Sequence, residues 1–154
     1  MLIKIISIGS PPSKEVENIT FDYTKRLTPF SKVEWLNTTV KSKNKNIDVN
    51  KEIESKTILN SIKPGSYVIA LDEDGESIKS RKLASLFEKI MLQTSEIIFV
   101  IGGADGLDQS VLEKSNYQLS LSSMTYPHQI VKIILIEQIY RAFSILNNQP
   151  YHRE

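Results

Sequence analysis

Two hydrophobic patterns alternate along the chain. Short apolar runs with little polar spacing read as strands buried on both faces; longer stretches with apolar residues every three or four positions read as amphipathic helices. Residues 2–8 (LIKIISI) form the first run, which stops at Gly9-Ser10-Pro11-Pro12. Ser13 is placed to cap a helix carrying Val16, Ile19, Tyr23 and Leu27 on one face, and Pro29 closes it. A strand is predicted over 32–39 around Val33, Trp35 and Leu36. Residues 40–46 are polar, basic and aperiodic, and predict a loop. A helix follows over 49–62 with Ile53, Ile58, Leu59 and Ile62, then a strand over 67–71 and an acidic turn, Asp72-Glu73-Asp74-Gly75. Ser80 is the expected cap of a third helix, whose apolar face is Leu83, Leu86, Phe87, Ile90 and Met91.

The most continuous apolar run, IIFVI at 97–101, leads directly into Gly102, Gly103 and Gly106. A short helix is predicted near 108–114. The alternation of Tyr117, Leu119 and Leu121 predicts a strand over 117–123, and Pro127 suits the first turn of a last helix. The order βαβαβαβαβα predicts an α/β fold, a mostly parallel sheet flanked by helices, in a single domain over 1–154. In the last helix, twelve of the seventeen residues from 130 to 146 are apolar. Glu137, Arg141 and Ser144 leave only a narrow polar stripe, and Glu137 and Arg141 have the spacing of an ion pair. A helix apolar on nearly every side needs cover beyond one sheet, which predicts a homodimer through this helix.

Composition narrows the chemistry. Nineteen Lys and Arg against eighteen Asp and Glu give a net charge of +1, unlike an unstructured polycation that coats nucleic acid. With no cysteine and two histidines, His128 and His152, thiolate chemistry is excluded and a metal centre is not expected. The opening residues have no signal-peptide h-region, and Lys132, Glu137 and Arg141 interrupt the longest apolar helix. The expectation is a cytoplasmic protein without a membrane span.

Three stretches carry candidate chemistry. GGADG at the end of the central strand is neither GxxxxGK[ST] nor GxGxxG, so neither phosphate loop is present. It offers bare backbone to a ligand with little negative charge, or simply makes a tight strand-to-helix turn. LSLSSMTYPH over 119–128 supplies small hydroxyls, Met124, Tyr126 and backbone groups suited to an adenine ring; the alternative is a plain connection with Thr125 as helix cap. His128 falls in the first helical turn, where the dipole favours neutral imidazole, with a structural or a catalytic role open. The tail QPYHRE places Tyr151, His152 and Arg153 together, a trio able to stack on a base and hold a phosphate. Lysines at 41–45 hint at RNA phosphate contact, whereas the acidic turn has too few fixed carboxylates for a metal.

Taken together, IGGADGL, MTYPHQIVKIILIEQIYRAFSIL and the terminal PYHRE closely resemble the RlmH family, SPOUT-class methyltransferases of bacterial large-subunit ribosomal RNA. The resemblance runs over essentially the whole chain. It implies a SPOUT α/β knot with a C-terminal trefoil knot, S-adenosyl-L-methionine as donor, and an obligate homodimer. The implied reaction is N3-methylation of a pseudouridine in helix 69 of 23S rRNA, on the assembled ribosome. Carried over by position, Leu71, Gly102, Leu121, Ser122, Ser123, Met124, Thr125 and Tyr126 contact the cofactor, and Tyr151, His152 and Arg153 meet the substrate. His152 is the expected proton acceptor, with His128 as the alternative. A non-catalytic ribosome- or RNA-binding module and a SPOUT enzyme acting on tRNA are the competing readings.

Overall fold

The computed structural model describes residues 1–39 and 45–153, so the basic loop expected at 41–45 lies, except for Lys45, outside the described residues. The elements in chain order are β1 (Leu2–Ile8), α1 (Lys14–Leu27), β2 (Lys32–Thr38), α2 (Ile47–Asn60), β3 (Tyr67–Ser77), α3 (Ser80–Met91), β4 (Glu96–Ile101), α4 (Gln109–Lys114), β5 (Tyr117–Ser120) and α5 (His128–Leu146). The strands form one sheet ordered β2-β1-β4-β3-β5, parallel at every pairing. The apolar runs of β1 and β4 sit side by side inside it, and alternate residues serve two cores. Ile3, Ile5, Ile69, Ile97 and Phe99 face α1, α3 and α5, while Ile6, Ile8, Val68, Ile98 and Val100 face α2 and α4. This is the layered solution a two-sided parallel sheet requires.

Local signals set the helix starts. Ser13 caps α1 by accepting the Val16 N–H, and Asp108 caps α4 by accepting the Ser110 N–H. Asn46 caps α2 through the Asp48 N–H, so that helix starts at Ile47, ahead of the position its apolar spacing indicated. At α3 the expected cap is replaced: Lys79 is the N-cap, without a side-chain bond, and Ser80 instead donates its hydroxyl to Gln138 Oε1 at 2.7 Å. Thr125 does not cap α5 either; Pro127 stands at that position.

The acidic stretch after Leu71 is not a terminating turn. Leu71 and Glu76 both pair with Leu119, so residues 72–75 bulge out of a strand that continues to Ser77. Asp72 accepts the Asp74 N–H, curling the bulge, and a Cβ on Gly75 would lie 2.8 Å from the Gln118 carbonyl carbon. In contrast β5 is shorter than its alternation suggested. It stops at Ser120, whose hydroxyl donates to the Ser122 carbonyl, and the Ser122 hydroxyl then accepts the Met124 N–H.

Helix α5 packs between α1 and α3, with Tyr140 against Tyr23 and Phe143 against Phe87. The polar stripe is narrower than its spacing implied. Ser144 is buried and donates to the Tyr140 carbonyl, leaving Glu137 and Arg141, which do form the expected ion pair at 2.5 Å.

Candidate functional site

Two cavities meet at the end of β5 and share Leu119, Ser120 and Leu121 as a common wall. The first, about 500 Å³, opens at the carboxyl ends of β3, β4 and β5, where parallel α/β sheets bind ligands. Its walls are Leu71 and the β3 bulge, the turn from Gly102 to Leu107, and the connection through Ser122, Met124, Thr125 and Tyr126 to His128. Asp72, Glu73, Asp74 and Asp105 line it, and among the described residues no lysine or arginine does.

The turn after β4 explains its own glycines. The Gly106 N–H donates to the Gly103 carbonyl, and Gly106 has a φ of 79°. A Cβ on Gly102 would sit 2.9 Å from the Gly106 carbonyl carbon, and one on Gly103 would sit 3.0 Å from the Glu54 carboxylate oxygens. Burial, reinforced by Asp105, pushes the Glu54 carboxyl above its usual range. At the far wall His128 is half-buried, with Nε2 3.1 Å from the Ser7 hydroxyl and its ring under Gly9. Burial, followed by the nearby Lys132 ammonium, holds its imidazole below the ordinary histidine value. Lys132 is itself buried, with its ammonium reaching Asn37 Oδ1 at 3.1 Å.

The second cavity, about 600 Å³, lies between α3, α5 and the C-terminal tail. Its ionisable lining is Lys79, Arg81 and His152, with Ser80 and Gln138 between them. Glu137 organises this side from behind: it accepts from Arg141, from the Tyr151 hydroxyl at 3.0 Å and from the Gln138 amide at 2.7 Å. Arg141 in turn lies 3.3 Å from His152 Nδ1 and stacks over the Tyr151 ring.

The family described as "Predicted SPOUT methyltransferase" matches residues 1–152. The chain belongs to the SPOUT methyltransferase family. A relative named ribosomal RNA large subunit methyltransferase H, from Clostridium botulinum strain Hall, is 43% identical, with 99% of this chain and 100% of the relative covered. A protein of the same name from Ruminiclostridium cellulolyticum is 39% identical over the same shares. Among solved structures, a probable methylase family protein from Haemophilus influenzae Rd KW20 shares the fold at a TM-score of 0.52 and 17% identity, covering 99% of this chain and 70% of that one.

A SPOUT methyltransferase needs a place for a methyl donor, and the carboxyl-end cavity collects most of the residues expected to serve it. Leu71, Gly102, Leu121, Ser122, Met124, Thr125 and Tyr126 all line that cavity. Ser123 is exposed within the same connection and is not part of the lining. The tail residues stand elsewhere. His152 faces the second cavity, and Arg153 is exposed. Tyr151 is half-buried, packed edge-on against Tyr140, with its hydroxyl bound to Glu137 and 3.2 Å from the Tyr23 hydroxyl. Burial and those two bonds push the Tyr151 phenol above its usual value. Three features were missed in the sequence: the bulge carboxylates as cavity wall, the Ser80–Gln138 pair, and the burial of Lys132. Only the first had a local signal, an acidic cluster directly beyond a buried strand. No described helix is long and apolar enough to cross a membrane.

Proposed function

We propose that this chain is an S-adenosyl-L-methionine-dependent methyltransferase of large-subunit ribosomal RNA. The observation that carries the proposal is the acidic cavity, lined by four carboxylates and by no lysine or arginine among the described residues, at the carboxyl ends of β3–β5 in a SPOUT chain. Its size is within the range of small-ligand sites. Four carboxylates favour a ligand that carries positive charge and disfavour one that carries phosphates. S-adenosyl-L-methionine meets both conditions and supplies a methyl group on a cationic sulfur. The connection from Leu121 to Tyr126 wraps the adenosine, Leu71 and Gly102 form the facing wall, and Ser123 contributes from outside the lining.

The names of the full-length relatives support the substrate. Within that reading the acceptor is N3 of a pseudouridine in helix 69 of 23S rRNA, methylated on the assembled ribosome in the cytoplasm. His152 takes the N3 proton, Arg153 faces a phosphate or the deprotonated base, and Tyr151 holds the tail in place. His128 is the poorer base, because Ser7 occupies its Nε2. One domain over 1–154, a C-terminal trefoil knot and a homodimer complete the proposal. The family match supports the knot, and exposed Ile19, Phe21 and Ile130 on α1 and α5 support the dimer.

The test is calorimetric titration with S-adenosyl-L-methionine, then methyl transfer to assembled ribosomes, free 23S rRNA and tRNA. Donor binding with transfer to ribosomes is expected. RNA binding without donor binding would leave a non-catalytic module, and transfer to tRNA alone would move the substrate. His152→Ala is expected to keep donor affinity and lose turnover; unchanged turnover removes His152 from the chemistry.

A further inference from the structure

His128, at the start of α5, lines the cavity at the strand ends, and its two ring nitrogens can be told apart. Nε2 lies 3.1 Å from the Ser7 hydroxyl. Ser7 is buried, and its hydroxyl has no other partner among the described residues. A buried O–H has to donate to something, so Ser7 donates and Nε2 accepts. Burial, followed by the nearby Lys132 ammonium, holds the imidazole below the ordinary histidine value, which leaves the ring neutral. A neutral ring carries one hydrogen, and an accepting Nε2 assigns that hydrogen to Nδ1. Gly9 closes the Nε2 side further, since a Cβ there would stand 3.3 Å from that nitrogen. Nδ1–H has no acceptor among the described residues, so this wall holds an N–H donor without a partner.

We infer that His128 Nδ1–H receives the carboxylate at the amino-acid end of the methyl donor. The inference rests on the proposed binding of S-adenosyl-L-methionine in this cavity. Among the described lining residues, His128 has the only side-chain nitrogen. Asp72, Glu73, Asp74 and Asp105 suit the sulfonium and ammonium of the donor and repel its carboxylate. That carboxylate therefore needs an N–H on a wall away from them. The sheet order gives the direction. In the proposed reading Leu71 on β3 and the connection after β5 hold the adenosine. Gly102 follows β4, and Ser7 lies on β1, the next strand across. A donor laid over the strand ends from β5 toward β1 brings its amino-acid end to His128. Lys132, one helical turn on, does not compete for it, because its buried ammonium is turned to Asn37 Oδ1. His128 is thus a binding residue, and Ser7 is a positioning residue that acts through it by fixing the tautomer.

The experiment uses the intact protein and two ligands. Nitrogen NMR of the wild-type histidine rings should show His128 neutral, with its hydrogen on Nδ1; the opposite tautomer overturns the inference. Calorimetry then compares S-adenosyl-L-methionine with its decarboxylated analogue, which keeps the sulfonium and the ammonium. His128→Gln keeps a polar group at the Nε2 position and none at the Nδ1 position. It should weaken S-adenosyl-L-methionine by about tenfold, the size of one hydrogen bond to a charged group, and leave the analogue within about twofold. His128→Asn keeps an N–H at the Nδ1 position and should retain most of the affinity. A role confined to the bond with Ser7 would reverse that order, because only the Gln side chain reaches Ser7. Equal losses on both ligands, or an Asn variant weaker than the Gln variant, overturn the inference. If these variants fold poorly, Ser7→Ala decides: a loss of about threefold on S-adenosyl-L-methionine alone is expected, and an equal loss on both ligands or on neither overturns it. A wild-type chain that binds neither ligand overturns the methyltransferase reading itself, which is a separate result.

Discussion

The cavity at the strand ends and the cavity beside α3 share the wall from Leu119 to Leu121, yet they are built by different means. The first is made of loops: a bulge in β3, a glycine turn after β4 and the curled connection after β5. Its charge is negative, and most of its shape comes from backbone. The second is made of helices and a tail, and its shape comes from side chains that Glu137 ties together. Its described ionisable lining is Lys79, Arg81 and His152. Among the described residues, the end of one short strand thus stands between a wall of carboxylates and a wall that carries Lys79 and Arg81.

The largest expected effect comes from breaking the backbone-built side. Gly102→Val places methyl groups where even a Cβ would meet the Gly106 backbone at 2.9 Å. We expect donor affinity to fall by about a hundredfold or more, with a stability loss of about 1–3 kcal/mol from overpacking. Donor titration and denaturant unfolding measure the two, and retained affinity would separate the glycine turn from donor binding.

Next is the charge of the same cavity. Asp72→Asn combined with Asp105→Asn should weaken S-adenosyl-L-methionine about tenfold and leave the KM for ribosomes within about twofold. A matching loss on the RNA side would show that the two cavities do not divide the ligands by charge.

The mirror experiment removes cations from the second cavity. Lys79→Ala and Arg81→Ala should each raise the KM for ribosomes by about threefold and lower the slope of log affinity against log salt by about one. Donor affinity should not move.

The smallest effect is a pH dependence. The His128 imidazole is held below its ordinary value, chiefly by burial. The unfolded chain therefore binds this proton more readily, so stability is lost as pH falls through the ordinary histidine range. The contribution should be below about 1 kcal/mol between pH 7.5 and 5.5. It should vanish in His128→Gln, and an unchanged pH profile in that variant would assign the dependence to other groups.

The five strands, five helices and parallel arrangement were legible because short apolar runs, continuous at β4 and broken only by Lys4 and Ser7 at β1, alternate with amphipathic stretches, and most breaks carry Gly, Pro or a capping side chain. Part of the lining of the carboxyl-end cavity was legible too: Gly102, Leu121, Ser122, Met124, Thr125 and Tyr126 lie in two short stretches of the sequence, each directly beyond a strand. Element ends were less legible. The β3 bulge depends on Leu71 and Glu76 finding the same partner, Leu119, on a strand forty-odd residues later. Neither residue signals that pairing alone.

What the sequence determined by itself is therefore the layered α/β architecture, the ion pair between Glu137 and Arg141, and the membership in a methyltransferase family. All of these follow from periodicity, fixed helical spacing or contiguous motifs. Tertiary structure alone decided that Ser80 would leave its capping position to bond Gln138, 58 positions away. It also decided that Tyr151 would turn inward onto Tyr140 and Glu137, and that acidic and basic walls would fall on opposite sides of β5. Contacts between distant elements depend on how whole layers settle against one another, and no window of neighbouring residues contains that information.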